Sequence, residues 1–166
     1  MTATDPFLRF EPAVGQPRLA YSVGRFHTVL RAEMSRRLAP EGLSVPEFTA
    51  LSVLSARGGL SNAELARRSF VTPQAMNQVL ASLEEKDLVT RPAPGEQTRG
   101  HHRARGAKLT AKGRRWVARA QAIVDAIEDQ AFATLSEDER RALTQVLGAA
   151  AQRLAVGAGP GGRPEA

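Results

Sequence analysis

Apolar residues recur every three or four positions over long stretches of this chain, and this spacing predicts a mostly helical protein. The first stretch covers residues 18–38 and ends where Pro40 and Gly42 interrupt it. Its single apolar stripe consists of Leu19, Val23, Phe26, Leu30, Met34 and Leu38. Two more long amphipathic helices are predicted near the carboxyl end, over residues 111–133 and after Ser136. The apolar stripe of the last helix comprises Leu143, Val146, Leu147, Ala150 and Leu154.

Three short helices are predicted between these long ones. Side chains that cap helix amino termini mark where they begin, namely Ser44, Ser61 and Thr72. Glu64 follows Ser61 at the spacing of a capping box. The third helix has Pro73 at its first position and continues to about Lys86. A turn around Phe70 and Val71 joins the last two, which is a helix-turn-helix signature.

The helical pattern disappears after Leu88. Residues 88–90 and 103–109 are strand-like, and the segment between them is polar and rich in turn residues. A hairpin that directly follows a helix-turn-helix is a wing. The predicted fold class is therefore mostly α with a small β-hairpin wing: a winged helix-turn-helix plus a helical dimerisation region.

Composition narrows the class of protein. The 166 residues include 42% hydrophobic and 24% charged residues, which is typical of one compact domain or two small lobes. The chain has no cysteine, which excludes disulfides, thiolate metal sites and thiol-based sensing. No apolar run is long enough to cross a bilayer, and the first residues do not resemble a secretory signal, so we expect a cytoplasmic protein without a membrane partner.

Positive charge is concentrated in one segment. The chain carries a net charge of +6, but residues 91–119 contain nine basic residues and one acid, Glu96, so this segment alone carries +8. Such a cluster favours a polyanionic partner, although a charge run is also common on a merely solvated face. Its position beside a helix-turn-helix makes double-stranded DNA the preferred partner.

Three motifs carry a resemblance to a known family: the helix ELARR (64–68), the helix TPQAMNQVLASLEEKDLV (72–89) and the segment KLTAKG (108–113) after the wing. With the helices on both sides, from about residue 18 to residue 154, the chain resembles the MarR family of bacterial transcriptional regulators. The resemblance implies a homodimer in which the first and last two helices intertwine. Each subunit would present its winged helix-turn-helix to one half of a palindrome. The two recognition helices of the dimer would then lie about 34 Å apart.

This interpretation of the sequence divides the chain into five segments. They are an amino-terminal arm (1–17), a dimerisation helix (18–42), a winged helix-turn-helix lobe (43–110), carboxy-terminal dimerisation helices (111–155) and a flexible tail (156–166).

Candidate DNA contacts lie on the predicted recognition helix, on the helix before it and in the wing. At 100° per residue, the amides of Gln74, Asn77 and Gln78 point away from the apolar face that contains Met76. Amides there suit base edges in the major groove, and a cap hydroxyl can donate to a phosphate. The predicted DNA-binding residues are Arg67, Arg68, Thr72, Gln74, Asn77, Gln78, Arg91, Arg99, Arg103 and Arg105.

The wing departs from the family pattern at one position. Many similar proteins carry Asp-x-Arg eight residues before the Leu-Thr pair, and here His101 stands in the Asp position while Arg103 is kept. Glu96 is another carboxylate that could orient this arginine. The neighbouring pair His101 and His102 lacks a third ligand at helical spacing, so no metal site is predicted.

The resemblance also implies an effector site, because similar proteins bind small aromatic acids or phenolic compounds between the dimer helices and the winged lobe. An aromatic ring beside a cation would suit such an anion. The candidates are Tyr21, Arg25, His27, Phe48 and Trp116. Phe48 and Trp116 also lie on apolar stripes, where a core role is the common alternative, and Tyr21 and Arg25 could instead pair with a partner subunit.

The sequence thus predicts a ligand-responsive regulator, a repressor that leaves a palindromic operator when an aromatic or phenolic effector binds. No nucleophile elbow, phosphate loop or metalloprotease motif is present, so we expect neither an enzyme nor a cofactor. Two alternatives stay open: an architectural nucleic-acid-binding protein without sequence preference, and a regulator whose wing docks on an acidic protein surface.

Overall fold

The computed structural model of the chain describes residues 18–91 and 106–157. Six α-helices and a two-stranded antiparallel sheet make up this part, which confirms the predicted fold class. The elements are α1 (Leu19–Leu38), a short 3-10 turn (Ala39–Glu41), α2 (Val45–Ala56), α3 (Asn62–Arg68), α4 (Pro73–Glu85), β1 (Val89–Thr90), β2 (Lys108–Leu109), α5 (Ala111–Ala131) and α6 (Glu137–Gly157).

The hydrophobic core lies among α2, α3 and α4. Leu51 of α2, Leu65 of α3 and Met76 of α4 are fully buried, and Leu88, just before β1, also belongs to the core. The end of α1 and one face of α5 complete it through Leu38 and Val117 among others. Because leucine and methionine fill the contacts between three short helices, this core fixes the angle at which α4 is presented.

Caps decide where the short helices begin. Ser44 and Glu47 form a reciprocal capping box at the start of α2. At α3, the Ser61 hydroxyl accepts the backbone N–H of Glu64 at 3.2 Å, as expected. The prediction of a full capping box is wrong, because the Glu64 carboxylate does not bond back to the Ser61 N–H. The Glu64 carboxylate instead accepts from Arg68 one turn later, at 3.0 Å. A basic residue at i+4 competes for the same oxygen.

Within the described residues, both strands of the hairpin are shorter than predicted. Val89 pairs with Leu109 and Thr90 with Lys108, and the second strand begins at Lys108 within the described residues. Two glycines let the chain pass close to its neighbours. A Cβ on Gly106 would lie 2.1 Å from the carbonyl oxygen of Leu60, and one on Gly113 would lie 2.0 Å from that of Leu88. The base of the hairpin is therefore fixed against the helices.

The long helices keep much apolar surface exposed. Leu19, Val23 and Phe26 of α1 are exposed, as are Val146 and Leu154 of α6.

The chain divides into two compact units, the first ending at Ile127 and the second beginning at Glu128. In the second unit α6 continues through Gly157, two residues into the segment that the sequence analysis assigns to the tail. No helix in the described ranges is long and apolar enough to cross a membrane.

Candidate nucleic-acid interface

Helix α4 separates its two faces clearly. Met76, Leu80 and Leu83 are buried against α2 and α3, as the spacing predicts. The amide side chains of Gln74, Asn77 and Gln78 are exposed on the other side. Ala81, three residues beyond Gln78, is half-buried. The outer face of α4 therefore presents three uncharged hydrogen-bonding groups in a row, each with both donors and an acceptor.

The amino terminus of α4 is fixed from two sides. The Thr72 hydroxyl accepts the backbone N–H of Ala75 at 3.1 Å and caps the helix, and Pro73 takes the first helical position. The Asn62 amide donates to the carbonyl oxygen of Pro73 at 3.1 Å, which ties the start of α3 to the start of α4. Thr72 is exposed, so its hydroxyl can still donate outward to an anion at this helix end.

Three predicted phosphate contacts flank α4, and they differ in how firmly they are held. Arg68 is half-buried and bonded to Glu64, and Arg91 is bonded to Glu84 through both its backbone N–H and its guanidinium. Arg67 is three-quarters exposed and lies 4.0 Å from the Glu64 carboxylate. Arg67 is therefore the one of the three whose charge is least compensated.

A polar cluster holds the carboxyl-terminal half of α4, and Glu47 is its centre. This carboxylate is only 5% exposed, yet it accepts from the Ser44 hydroxyl and backbone, from the Ser82 hydroxyl at 2.8 Å and from the Lys86 ammonium at 2.5 Å. Burial by itself raises the pKa of Glu47, but these hydrogen bonds outweigh it and hold the pKa below its ordinary value. Glu47 thus binds α2 to α4 as a charged group.

The same end of α4 is also bound to α5. The Lys112 ammonium donates to the carbonyl oxygen of Lys86 at 2.7 Å, and the Thr110 hydroxyl donates to that of Asp87 at 2.8 Å. Lys86 in turn donates to the carbonyl oxygen of Gly42 at 2.8 Å. Both ends of α4 are therefore anchored through hydrogen bonds to other elements, and its outer face is left for a ligand.

The wing residues Arg99, His101, His102, Arg103 and Arg105 lie outside the described residues. The described base of the wing, β1 and β2, follows α4 directly. Arg91 and the exposed Lys108 lie at the same end of this base, because Thr90 pairs with Lys108.

The five predicted effector residues do not form one cluster of exposed side chains. Tyr21 and His27 are exposed on α1, and Arg25 is partly buried there. Phe48 is 6% exposed within the core, and Trp116 is half-buried against it. The guanidinium of Arg119 lies 5.6 Å from the Trp116 ring, a cation–π distance.

An open groove of about 490 Å³ lies between α1 and α5. Its lining combines apolar side chains with two cations and consists of Arg36, Arg37, Pro40, Ala122, Ile123 and Ala126. Both arginines bond Glu33, Arg36 at 2.7 and 2.9 Å. The hydrogen bond from Arg36 is the largest influence on Glu33 and, with Arg37, lowers the pKa of this carboxyl to about 2.

Sequence reasoning missed several of these side chains for identifiable reasons. Glu47 follows Ser44 at capping-box spacing, a signal that could have found its bond to the cap but not those to α4. The sequence around Lys86 signals only a helix end. Arg36 and Arg37 gave no signal, because their joint placement over α5 depends on how two distant helices pack.

Comparison with known proteins agrees with this geometry. The family model described as MarR family matches residues 41–104. The chain is 44% identical over 129 residues to the HTH-type transcriptional repressor Rv2887 of Mycobacterium tuberculosis, covering 78% of this chain and 90% of the relative.

Solved structures extend the comparison. The crystal structure of Rv2887 in complex with DNA is 42% identical, with a TM-score of 0.65 over 80% of this chain and 97% of that one. Its complex with salicylic acid gives a TM-score of 0.64 at 42% identity over 82% and 98%. A MarR family regulator from Silicibacter pomeroyi is 25% identical, with a TM-score of 0.70 over 81% and 87%. This chain belongs to the MarR family of DNA-binding transcriptional regulators, and it is not an enzyme.

Proposed function

We propose that the protein represses transcription as a homodimer that binds a palindromic operator and is released by a small aromatic acid. The observation that carries the proposal is the outer face of α4, where Gln74, Asn77 and Gln78 are exposed while both ends of the helix are anchored. A rigid helix with an amide-rich face matches the donor and acceptor pattern of the major groove, above all that of adenine.

The proposed DNA contacts divide into two kinds. Gln74, Asn77 and Gln78 read base edges, and Thr72, Arg67, Arg68 and Arg91 position the protein on phosphates. Arg99, Arg103 and Arg105 remain proposed wing contacts. Because Arg68 and Arg91 are already paired with carboxylates, they contribute less to the salt dependence of binding than Arg67.

A homodimer is proposed because the long helices leave apolar side chains without cover in the single chain. Leu19 is 76% exposed, Leu154 77% and Val146 61%, and each lies on the predicted apolar stripe of its helix. Exposed apolar stripes on helices of 20 and 21 residues are typical of a subunit interface rather than a free surface. Two-fold symmetry would then give each subunit one half of a palindrome.

An aromatic acid is the proposed effector because Rv2887, which is similar over most of this chain, has been crystallised with salicylic acid. Tyr21, Arg25, His27, Phe48 and Trp116 stay candidates, although burial of Phe48 would require the core to open. The groove between α1 and α5 is the better supported location. It offers an apolar floor at Ile123 and two arginines, for which an aromatic carboxylate would compete with Glu33.

The proposal is tested with an operator selected from random duplexes. Fluorescence anisotropy at about 0.15 M salt should give tight binding to the selected duplex and weak binding to a scrambled one, and salicylate should release only the former. Equal affinity for both duplexes would instead favour the architectural protein without sequence preference. No binding to any duplex would favour a protein partner.

Variants locate the base contacts. Asn77→Ala and Gln78→Ala should each weaken binding to the selected operator by about 1–3 kcal/mol and relax the preference at one base pair. Gln121→Ala, which truncates an exposed glutamine on α5, is the matched control and should bind as the parent protein does. Unchanged operator affinity in both α4 variants would contradict the assignment of this helix.

A further inference from the structure

Phe70 occupies an unfavourable position for a phenylalanine. It is 93% exposed, the highest value among the large apolar side chains in the described part of the chain. Its φ is +56°, in the left-handed region that side chains with a Cβ avoid. The one other non-glycine residue with positive φ among the described residues is Asp87, a type that tolerates this region better.

The backbone around Phe70 explains the positive φ but not the side chain. The N–H of Val71 bonds the carbonyl oxygen of Ala66 at 3.1 Å, and the N–H of Phe70 bonds that of Arg67 at 3.4 Å. These two bonds form a Schellman motif that ends α3, with Phe70 at the position where glycine is usual. Glycine would remove the strain, and an exposed ring gains no packing that would offset it. Backbone strain that no packing contact offsets is typical of functional sites.

The place of Phe70 in the fold identifies what the ring can meet. It lies in the turn of the helix-turn-helix, two residues before the Thr72 cap, so its Cα is within about 7 Å of the amino terminus of α4. Val71 turns inward toward the core while Phe70 turns outward. The exposed Arg67 is three residues earlier, and the exposed Gln74 is four residues later. The ring is thus continuous with the surface assigned to DNA.

We propose that Phe70 is a specificity-determining residue that packs its ring against the 5-methyl group of a thymine in the operator. A neutral aromatic ring cannot contribute to phosphate binding, but it can bury the one apolar group that base pairs present in the major groove. The inference rests on the proposed operator binding by α4. It adds an apolar contact from the turn to the polar contacts of the helix.

The test replaces each operator thymine in turn by deoxyuridine, which removes only the methyl group. At one thymine in each half-site, the parent protein should lose roughly threefold or more in affinity, as expected for one unburied methyl group. Phe70→Gly should bind the unmodified operator correspondingly more weakly and should be insensitive to deoxyuridine at that same position. This pattern forms a double-mutant cycle that ascribes the loss to the ring and the methyl group together.

Stability measurements separate this role from a structural one. Phe70→Gly should raise the urea midpoint, because glycine relieves the left-handed strain, even while operator affinity falls. Asp87→Gly is the matched control: it relaxes the other positive φ and should not lose operator affinity. Operator binding by Phe70→Gly equal to that of the parent, or equal deoxyuridine sensitivity in both proteins, would overturn the inference. Failure of the parent protein to bind any duplex would instead remove the proposed function on which the inference rests.

Discussion

Among single residues, Glu47 illustrates how a buried charge is accommodated next to a recognition helix. The carboxylate is out of water but receives hydrogen bonds from both Ser44 groups, from Ser82 and from Lys86. Removing one partner of such a group is costly, because the remaining charge keeps its desolvation penalty. The orientation of α4 relative to α2 therefore depends on polar contacts as well as on leucine packing.

Replacing Lys86 by methionine tests this dependence. We expect Lys86→Met to lower the free energy of unfolding by about 1–2 kcal/mol, less than for a fully buried pair because the lysine side chain is itself about one-third exposed. Lys108→Met, at an exposed lysine on β2, is the control and should change it by less than about 0.5 kcal/mol. Urea unfolding followed by circular dichroism measures both, and equal effects would contradict a special role for Lys86.

The depressed pKa of Glu47 gives a prediction for pH. A carboxyl whose pKa is lower in the folded state stabilises the fold above its ordinary pKa of 4.5, and this contribution is lost as pH falls through the folded pKa. The difference in unfolding free energy between the parent and Glu47→Gln should be largest near neutral pH and should shrink below about pH 4.5. Urea titrations from pH 7 to pH 3 measure it. A difference that grows on acidification would mean that burial, not hydrogen bonding, dominates.

Among elements, the junction between β1 and α5 is constrained by a close backbone approach and by two hydrogen bonds of Thr110. Gly113, in the first turn of α5, passes against the carbonyl oxygen of Leu88, and the Thr110 hydroxyl accepts the N–H of Gly113 at 2.8 Å. The Thr110 hydroxyl also donates to the backbone carbonyl oxygen of Asp87. This junction joins α5 to the end of α4 and leaves no room for a side chain at Gly113.

Two glycine substitutions test the junction. Gly113→Ala should destabilise the protein by several kcal/mol, because its Cβ would meet backbone that cannot retreat easily. Gly148→Ala, in α6 with nothing within 4 Å, is the matched control and should stabilise by up to about 1 kcal/mol through helix propensity. Thermal unfolding of both variants measures the contrast. Similar effects at the two sites would show that the close approach at Gly113 has no energetic consequence.

For the whole molecule, the question is whether a single chain can bury the apolar side chains of its long helices. Apart from Phe70, the exposed large hydrophobic side chains of the described residues all lie on α1 and α6, outside the winged lobe. A monomer would leave them in water. The proposed dimer therefore rests on the same residues that form the helical pattern in the sequence.

A charge on this surface should dissociate the proposed dimer. Val146→Glu on α6 should shift the protein toward monomer in sedimentation or light-scattering measurements, because burial of an unpaired carboxylate at an interface is unfavourable. Operator affinity should fall with it, since one winged lobe contacts only half a site. Gln152→Glu, on the opposite face of the same helix, should remain dimeric. A parent protein that is monomeric at micromolar concentration would contradict the proposed assembly.

The sequence alone determined the elements and the outer face of the recognition helix. Helical periodicity and capping residues such as Ser44 and Thr72 are local signals, so they placed each helix to within a few residues. The separation of Met76 from Asn77 also follows from local geometry, which is why the face that carries the proposed base contacts could be predicted.

Only the tertiary structure decided how that face is held. Three features join residues that are tens of positions apart: the Glu47 cluster, the contact of Lys112 with the end of α4, and the arginine-lined groove. No local sequence pattern predicts such contacts. The outward position of Phe70 was equally inaccessible, because the Schellman motif and the packing of Val71 decide it. Spacing along the chain fixes which side of a helix a residue takes, whereas packing between helices fixes what that side meets.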